Sequence, residues 1–464
     1  MRRNSMRHGI RALVVGVGAP LMLGLAAPAF AQFPRPEDAK INWRQFEGQT
    51  ISVIYQKSFL MDKVFEMLPD FQKLTGIKVE HEGYSENAMW EKIVLDSTSK
   101  VGAYDAFQIA PFLVPKYAVG RWTADLGKFM NDAKLTDPRW YDYDDFLPSL
   151  RNSMRVGAYV VGVPIDGFPG ALFYRRDMFQ KYGIQVPKTM KELVQAAEKV
   201  TAGLRKDGEK HVWAIGLRGA WYQFMLPAFI YSEGGAYLAG QRPGTSNPLA
   251  SLIEDPRTVE GMRAYVELMR KHAPPGYANI AWPEMLEDFR AGKLAMTIEP
   301  LVFAVQYEDA KKSNIVGKVG VASIPGRNGP GEPGFWDFGL GISTFSKKQG
   351  AAWYWVQWTT AKAQALRLSK ARGITSRKSV TELAEWKSQV EKWNNGDWLR
   401  VYGDLGRARP DYHVTTLAGQ PLPQAEEVLK SVGIEVQAAI AGQKDIAQAA
   451  RDAAKAVELA LKKR

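Results

Sequence analysis

The sequence predicts an α/β protein in which mostly parallel sheets are flanked by helices. Between residues 51 and 110, short apolar segments with strand character alternate with segments whose apolar residues recur at helical spacing. Strands that alternate with helices in this way favour right-handed crossovers and therefore parallel pairing. The chain has 464 residues, of which 46% are hydrophobic, and this is ample for a large packed core. The same composition, without cysteine, excludes disordered, collagen-like and disulfide-stapled classes.

The first three strands and two helices follow from local pattern. Residues 51–55 form an apolar strand, residues 77–81 alternate apolar and polar as a second strand, and residues 106–110 give a third. Gly76 stands where a glycine would end the first helix, and Ser85 where a serine would cap the second. The apolar stripes of these two helices are Val64, Met67, Leu68, Phe71 and Leu74, and then Trp90, Ile93 and Val94.

A second region begins near residue 159 and contains two strongly signalled helix starts. Thr189 and Glu192 form a capping box, and Asp255 precedes Pro256 as an N-cap with proline at the first helical position. Residues 446–461 predict an amphipathic C-terminal helix. Its apolar face is mostly alanine, so we expect it to dock on the protein rather than on a membrane.

The first 31 residues predict a signal peptide that is cleaved between Ala31 and Gln32. Residues 1–11 carry four arginines and no acid, residues 12–27 are uncharged, and Ala29-Phe30-Ala31 supplies the small-residue cleavage site. Glycines and prolines interrupt the uncharged stretch, which is shorter than the about 20 residues needed to span a bilayer. We therefore expect an exported chain, and the absence of cysteine predicts no lipid anchor.

The charge pattern predicts no nucleic-acid partner. The formal charge is +12, and it falls to +8 without the four arginines of residues 1–31. Acidic and basic residues are mixed along most segments instead of forming blocks of one sign, as in nucleic-acid-binding arms. We expect a solvated basic surface, with steering of anionic ligands as the weaker alternative.

The sequence predicts no cofactor, no metal site and no enzymatic activity. The four histidines after residue 31 lie in separate segments and form no metal-binding pair. Glycine-rich nucleotide motifs and the G-x-S-x-G nucleophile motif do not occur. A pair of glycosidase carboxylates leaves no mark in sequence spacing, so an exported carbohydrate-active enzyme stays as an alternative.

Aromatic and polar residues gather in segments punctuated by glycine or proline. The C–H face of a sugar stacks on aromatic rings, and carboxylates or amides bond its hydroxyls, so this combination favours a polyhydroxylated ligand. Trp353, Trp355 and Trp358 follow Lys348 on a predicted helix, and we expect them to be scaffold. The candidate ligand-binding residues from the loop-like segments are Tyr84, Asn87, Phe112, Asp166, Trp221, Trp282, Trp336 and Asp337.

From about Thr50 to its C-terminus, the chain resembles the extracellular solute-binding proteins, family 1, of ABC importers, the group that includes maltose-binding protein. No single segment carries the resemblance, which rests on the order of several. These are LPDFQKLTGIKV at 68–79, YDAF at 104–107, GVPID at 162–166, FYRRDMF at 173–179, PKT at 187–189, FRAGKLAM at 289–296, GLGIS at 339–343, GITSRKSV at 373–380 and EVQAAIAG at 435–442.

The resemblance implies the two-lobe periplasmic binding protein fold of type II. Each lobe is then a mostly parallel sheet flanked by helices, and a multi-strand hinge joins the lobes. Lobe 1 is expected at 48–164 plus 297–342, and lobe 2 at 165–296 plus 343–464. The ligand binds between the lobes, which close around it, and the closed form docks on the membrane permease.

The resemblance also assigns ligand-binding positions. The loop after the first strand places Gln56 at the ligand, and the late Gly-rich loop places Trp336 there. The first crossover adds Asp166, the second crossover adds Glu299, and the motif that begins at Gly373 adds Arg377. One departure concerns residues 110–112, where Ala-Pro-Phe replaces the acidic residue that family members often carry. This loss of a hydroxyl acceptor leaves room for a polyol, a longer saccharide or a ligand held more by stacking.

The predicted function is that of a monomeric periplasmic binding protein of an ABC importer. Its ligand is a sugar, a sugar alcohol or a short oligosaccharide, which it delivers to the permease subunits without catalysis. Two alternatives remain open at this point. One is a binding protein for an anionic polyol such as glycerol 3-phosphate, and the other is the exported carbohydrate-active enzyme.

Overall fold

The computed structural model describes residues 33–220, 222, 224–417 and 420–462. The predicted signal peptide, residues 1–31, and the candidate ligand residue Trp221 lie outside the described residues. Within them the α/β class is confirmed. The principal strands are β1 (Thr50–Gln56), β2 (Lys78–Tyr84), β3 (Ala106–Ile109), β4 (Val163–Phe168), β5 (Gly170–Arg175), β6 (Met296–Pro300), β7 (Val319–Ala322) and β8 (Trp336–Ile342).

Helices lie between and around these strands. The labelled helices are α1 (Phe59–Phe65), α2 (Leu68–Thr75), α3 (Glu86–Ser99), α4 (Val114–Gly120), α5 (Met190–Lys206), α6 (Leu226–Ser232), α7 (Pro256–His272), α8 (Trp282–Arg290), α9 (Gln349–Thr359), α10 (Lys362–Arg372), α11 (Ala425–Ile440) and α12 (Ile446–Lys462). Further short helices are Leu126–Met130, Pro138–Tyr141, Pro148–Ser153, Arg176–Lys181, Ala304–Tyr307, Lys378–Glu382, Ala384–Val390 and Asp397–Gly403.

The first sheet has five strands in the order β2-β1-β3-β8-β4. Strand β1 pairs in parallel with both β2 and β3, with Val53 opposite His81 and Ala106. Strand β8 pairs antiparallel with β3 and with β4, so four of the five strands run in one direction. The predicted parallel arrangement is therefore confirmed for this sheet, with β8 as its single reversed strand.

The second sheet differs from the prediction because its three strands are antiparallel. The order is β6-β5-β7, and both pairings of β5 are antiparallel. Only Pro169 separates β4 from β5, so no crossover helix lies between them. Isolated parallel bridges, Trp213 with Leu294 and Gly216 with Thr297, extend the sheet beside β6.

The strand pairing also divides the chain differently from the predicted lobe boundaries in two segments. Strands β6 and β7 belong to the second sheet, although residues 297–342 are predicted in lobe 1. Helix α9 packs against the first sheet, although residues 343–464 are predicted in lobe 2. The chain leaves the first sheet at Pro169 and re-enters it with β8. The segment between β7 and β8 connects the second sheet back to the first. As boundaries of moving bodies, the predicted lobes remain a prediction.

Two apolar clusters form the core. One covers a face of the first sheet, where Ile51 and Val53 pack with Trp353, Trp355 and Trp358 of α9. All three tryptophans are fully buried, so their predicted scaffold role is confirmed. The larger cluster includes Ile54, Trp90, Trp336 and the apolar residues around the second sheet, which packs the two sheet regions against each other.

The predicted helix ends are confirmed where side chains cap the backbone. The hydroxyl of Thr189 accepts from the amide of Glu192, whose carboxylate accepts in return from the amide of Thr189, and α5 begins there. Asp255 caps α7 in front of Pro256. Helix α12 packs on α11 through buried alanines, as predicted. None of the helices in the described part of the chain is long and apolar enough to cross a bilayer.

Arg377, which the family resemblance assigns to the ligand, is buried between loops and is held by their backbone carbonyls. Its Nε donates to the carbonyl of Thr360 at 2.9 Å, and its Nη1 donates to those of Tyr141 at 3.0 Å and Asp142 at 2.6 Å. The guanidinium lies 3.6 Å from the ring centroid of Phe146, and the burial of the group lowers the pKa of Arg377. The structure therefore gives this side chain a scaffold position.

Replacing Arg377 by methionine tests that position. We expect Arg377→Met to lower the free energy of unfolding by about 3 kcal/mol, because unsatisfied buried acceptors cost about 1–3 kcal/mol each. Urea denaturation followed by circular dichroism measures this change. Lys378→Met, at the exposed neighbouring position, serves as the control and should leave stability unchanged within about 0.5 kcal/mol. An Arg377→Met protein of wild-type stability that has lost its ligand would contradict the scaffold role.

Candidate functional site

A cavity of about 90 Å³ lies where the first sheet meets the second. Strand β1 ends at its edge with Gln56, and β6 ends there with Pro300, so the carboxyl ends of strands from both sheets reach it. Its walls come from β1, α1, α3, β4, β6, β8, α8 and α10, and from the segments after β6 and before α6. The lining residues are Gln56, Ser58, Phe59, Leu60, Glu86, Asp166, Phe168, Arg218, Phe224, Trp282, Pro300, Val302, Phe303, Gln306, Trp336, Phe338 and Arg372.

One wall contains a buried ion pair between Arg218 and Glu299. Nε of Arg218 lies 2.8 and 3.1 Å from the two carboxylate oxygens, and Nη2 donates to Oε2 as well. Arg218 is 3% exposed and Glu299 is fully buried. Burial alone would lower the pKa of Arg218, but Glu299 raises it above its usual value, so the guanidinium stays charged. Arg218 lines the cavity, and Glu299, which lies behind it in the wall, neutralises its charge.

A second buried ion pair joins Asp166 of β4 to Arg372, the last residue of α10. Nη1 of Arg372 lies 2.8 Å from Oδ2 of Asp166. Burial raises the pKa of Asp166, and Arg372 offsets part of that rise. Oδ1 of Asp166 and Nε of Arg372 have no hydrogen-bond partner within the described chain. Both residues line the cavity, and each has one buried polar atom that no described residue satisfies.

Glu86, the first residue of α3, is the third carboxyl group of the cavity. It is 7% exposed, and Nε2 of Gln56 donates to its Oε2 at 3.3 Å. Burial raises the pKa of Glu86 to about 7, although Arg218 and the indoles of Trp90 and Trp282 oppose the rise. Among the described residues, Oε1 of Glu86 has no hydrogen-bond partner.

Aromatic rings cover the remaining walls. Trp336 is 3% exposed, and its ring centroid lies 5.7 Å from that of Phe224 and 6.0 Å from that of Tyr412. Its Nε1 is a buried donor without a partner in the described residues. Trp282, the first residue of α8, lies 5.9 Å from Phe303 between ring centroids. The cavity thus combines apolar faces with unsatisfied polar atoms, which suits a ligand that has both.

Four predicted site residues line this cavity: Gln56, Asp166, Trp282 and Trp336. Glu299 lies directly behind its wall through Arg218. The structure therefore brings residues of both sheets together around the predicted Asp166 and Trp336. Their contact with a ligand stays a prediction.

Other predicted site residues lie elsewhere. Asn87 and Phe112 line a neighbouring cavity of about 470 Å³ beside α11. The hydroxyl of Tyr84 donates to Glu82 at 2.6 Å, outside both cavities. Asp337 is buried and accepts from Ser153, and burial raises its pKa far above the usual value. Since side chains alternate along a strand, Asp337 faces away from the side on which its neighbours line the cavity.

The cavity also contains charged residues that sequence reasoning did not select, namely Glu86, Arg218 and Arg372. Glu86 stands between the selected Tyr84 and Asn87, and its place in the first turn of a helix after a strand was a usable signal. Arg218 and Arg372 had no such signal, because each reaches the cavity only through tertiary packing. Within the described ranges no group of three or more His, Cys, Asp or Glu side chains could hold a metal ion.

Two relatives match most or all of the chain. An erythritol/L-threitol-binding protein of Mycolicibacterium smegmatis is 23% identical over 69% of this chain and 68% of its own length. A probable amino-acid ABC transporter periplasmic-binding protein of Sinorhizobium fredii is 24% identical over 100% of this chain and 99% of its own. The chain is thus similar to solute-binding proteins of more than one ligand class.

The chain also resembles a solved structure and matches a family of binding proteins. The ABC transporter solute-binding protein of Agrobacterium vitis with bound D-mannitol superposes with a TM-score of 0.76 and is 26% identical, covering 89% of this chain and 99% of that one. Structures of this kind share the predicted two-lobe fold of type II. Residues 60–366 match the family described as bacterial extracellular solute-binding protein. The chain therefore belongs to the bacterial extracellular solute-binding protein family.

Proposed function

We propose that the protein is the binding component of an ABC importer and holds a small neutral polyol or monosaccharide in the cavity between its two sheets. The proposal rests on one observation: several residues that line a single cavity carry buried polar atoms without a partner in the described chain. Glu86 and Asp166 each contribute a free carboxylate oxygen, and Trp336 and Arg372 each contribute a free N–H. A hydroxyl both donates and accepts, so a chain of hydroxyls satisfies both kinds of atom at once.

The charge of the cavity favours a neutral ligand. Arg218 is paired with Glu299, and Arg372 is paired with Asp166, so both guanidinium groups of the lining are already neutralised. Glu86 adds a further carboxyl group without a cationic partner at ion-pair distance in the described chain. A phosphate or a carboxylate would meet this carboxyl group without a free cation to receive it. Glycerol 3-phosphate and amino acids of net negative charge are therefore disfavoured.

The size of the cavity favours a small ligand. A cavity must offer about 10–15 Å³ to hold one water molecule, and this one offers about 90 Å³. That volume matches a compact ligand with a few hydroxyl groups better than a chain of several sugar rings. Of the ligands predicted from the sequence, a polyol or a single sugar therefore fits better than an oligosaccharide.

The relatives point in the same direction. One is described as an erythritol/L-threitol-binding protein, and a structural neighbour holds D-mannitol. Another relative is described as a probable amino-acid binding protein, and the carboxylate of an amino acid binds most strongly to a cation such as a free guanidinium group. In this cavity, both arginines of the described lining are paired, so the polyol assignment has the better physical support.

On this proposal, ligand contacts from both sheets stabilise the closed form, which docks on the permease. Residues 1–31 direct export to the periplasm, with cleavage between Ala31 and Gln32. The mature chain works as a monomer and leaves its ligand chemically unchanged. The rival enzyme function predicts that labelled oligosaccharides incubated with the pure protein yield products, whereas a binding protein returns them intact.

A thermal-shift panel tests the ligand class. We expect erythritol, ribitol, D-mannitol or D-glucose to stabilise the protein, because a ligand bound only to the folded state adds about 2.7 kcal/mol at one hundred times its Kd. Maltose, glycerol 3-phosphate and L-glutamate are the comparison compounds. Stabilisation by glycerol 3-phosphate or L-glutamate alone would contradict the proposal, and so would the absence of any shift across the panel.

Substitution of Trp336 tests the position of the ligand. We expect Trp336→Ala to weaken binding by about 1–3 kcal/mol, since the ligand loses an aromatic face and an N–H donor. Trp336→Phe keeps the ring, so its loss should be smaller, at about 1 kcal/mol. Isothermal titration calorimetry with the polyol that gives the largest thermal shift measures both changes.

The matched control is Trp353→Phe in the core of the first sheet. It should lower the melting temperature and leave the Kd unchanged, because Trp353 is buried against Tyr141 and Phe129, outside the cavity lining. Wild-type affinity in Trp336→Ala would return Trp336 to the scaffold and remove one wall of the proposed site.

A further inference from the structure

Glu86 is the carboxyl group of the cavity that no arginine neutralises by direct contact. Each of the other two carboxylates at this site, Asp166 and Glu299, has its own guanidinium at ion-pair distance. Glu86 accepts a hydrogen bond from the uncharged Gln56, and the indoles of Trp90 and Trp282 also act on it as neutral groups; its Oε1 has no hydrogen-bond partner among the described residues. With Glu299 behind the wall included, the described residues of the site have three carboxyl groups and two guanidinium groups.

The groups facing Glu86 come from every element packed around it. Gln56 approaches from β1, Trp90 from α3 itself and Trp282 from α8. Arg218 acts on Glu86 across the cavity, but its hydrogen bonds go to Glu299. A ligand group that binds here contacts a carboxyl group, an amide and two indoles. The guanidinium of Arg218 is already paired with Glu299.

We propose that Glu86 is the specificity-determining residue of the cavity: it accepts a hydroxyl of a neutral ligand and excludes analogues that carry a carboxylate at that position. This inference rests on the proposed function and names what selects the ligand class. An ionised Glu86 forms a charge-assisted hydrogen bond with a hydroxyl. The same group repels a second carboxylate, and burial makes that repulsion strong because little water screens it.

The charge of Glu86 changes within the experimental pH range, which makes the selection adjustable. Burial raises the pKa of Glu86 to about 7. Above that pH the carboxylate is ionised, holds the hydroxyl and rejects the anion. Below it the carboxyl group is protonated, so the repulsion disappears and the charge-assisted bond weakens. The preference for the neutral ligand over its acid analogue therefore increases with pH.

Matched pairs of ligands test this inference by calorimetry between pH 5.5 and 8.5. Each pair differs in one terminal group: D-mannitol with D-mannonate, ribitol with ribonate, erythritol with erythronate, and D-glucose with D-glucuronate. Their carboxylates remain ionised throughout this range, since an ordinary carboxyl pKa lies near 4. For the neutral compound that binds, the ratio of acid Kd to neutral Kd should rise at least about tenfold from pH 5.5 to 8.5 in the wild type.

Glu86→Gln removes the charge and keeps the shape and the accepting oxygen. At pH 8.5 we expect it to lower the same ratio at least about tenfold and to abolish its pH dependence. Glu91→Gln makes the same change at an exposed position of the same helix and should behave as the wild type. The pH series on the wild type needs no variant, so it stands even if Glu86→Gln is unstable.

The outcomes separate this inference from the proposed function. A wild type that binds neutral ligands with a ratio independent of pH, or a Glu86→Gln variant with the wild-type ratio and pH profile, overturns the role of Glu86 alone. A persistent pH dependence in Glu86→Gln would assign the effect to Asp166 or Glu299, and that also overturns it. If the wild type binds no neutral member of any pair, the proposed function fails and this inference falls with it.

Discussion

Two buried ion pairs determine what the cavity can bind. Arg218 with Glu299 and Arg372 with Asp166 place four charges where little water reaches them. A buried charge without its partner destabilises a protein by several kcal/mol, so neither pair can be given up to a ligand. The guanidinium groups are thus held in position, and their charge is not available for an anion. The remaining polar atoms of the wall, on Glu86 and Trp336 among others, are left to bind uncharged groups.

These unpartnered atoms also give a physical reason for closure on a ligand. Glu86 follows β2 of the first sheet, Asp166 lies on its edge strand β4, Trp336 lies on the adjacent strand β8, and Trp282 belongs to a helix beside the second sheet. Buried donors and acceptors without partners are costly, and a polyhydroxylated ligand removes that cost only while both sides touch it. A ligand shifts a conformational equilibrium by its differential affinity for the two states. On the proposed function, that difference would come from hydrogen bonds made only in the closed form.

The sequence predicted the parts of the fold that local pattern controls. The parallel strands around α3, the capping box at Thr189 and the buried tryptophans of α9 follow from periodicity and capping chemistry. The antiparallel second sheet was missed because Pro169 alone links β4 to β5, and no local signal marks a change of sheet without a helix. The sequence also did not indicate which arginine lines the cavity. Arg372 ends α10 beside Asp166, whereas the side chain of Arg377 donates to backbone carbonyls. Such directions are fixed by tertiary packing.

The most direct test of the account is a crystal structure of the protein with the polyol or sugar that stabilises it. The account predicts ligand oxygens in the cavity at about 2.6–3.2 Å from Oε1 of Glu86, Oδ1 of Asp166 and Nε1 of Trp336, with the Arg218–Glu299 and Arg372–Asp166 pairs intact. A ligand bound outside this cavity, or one bound through a guanidinium that has left its carboxylate, would contradict it.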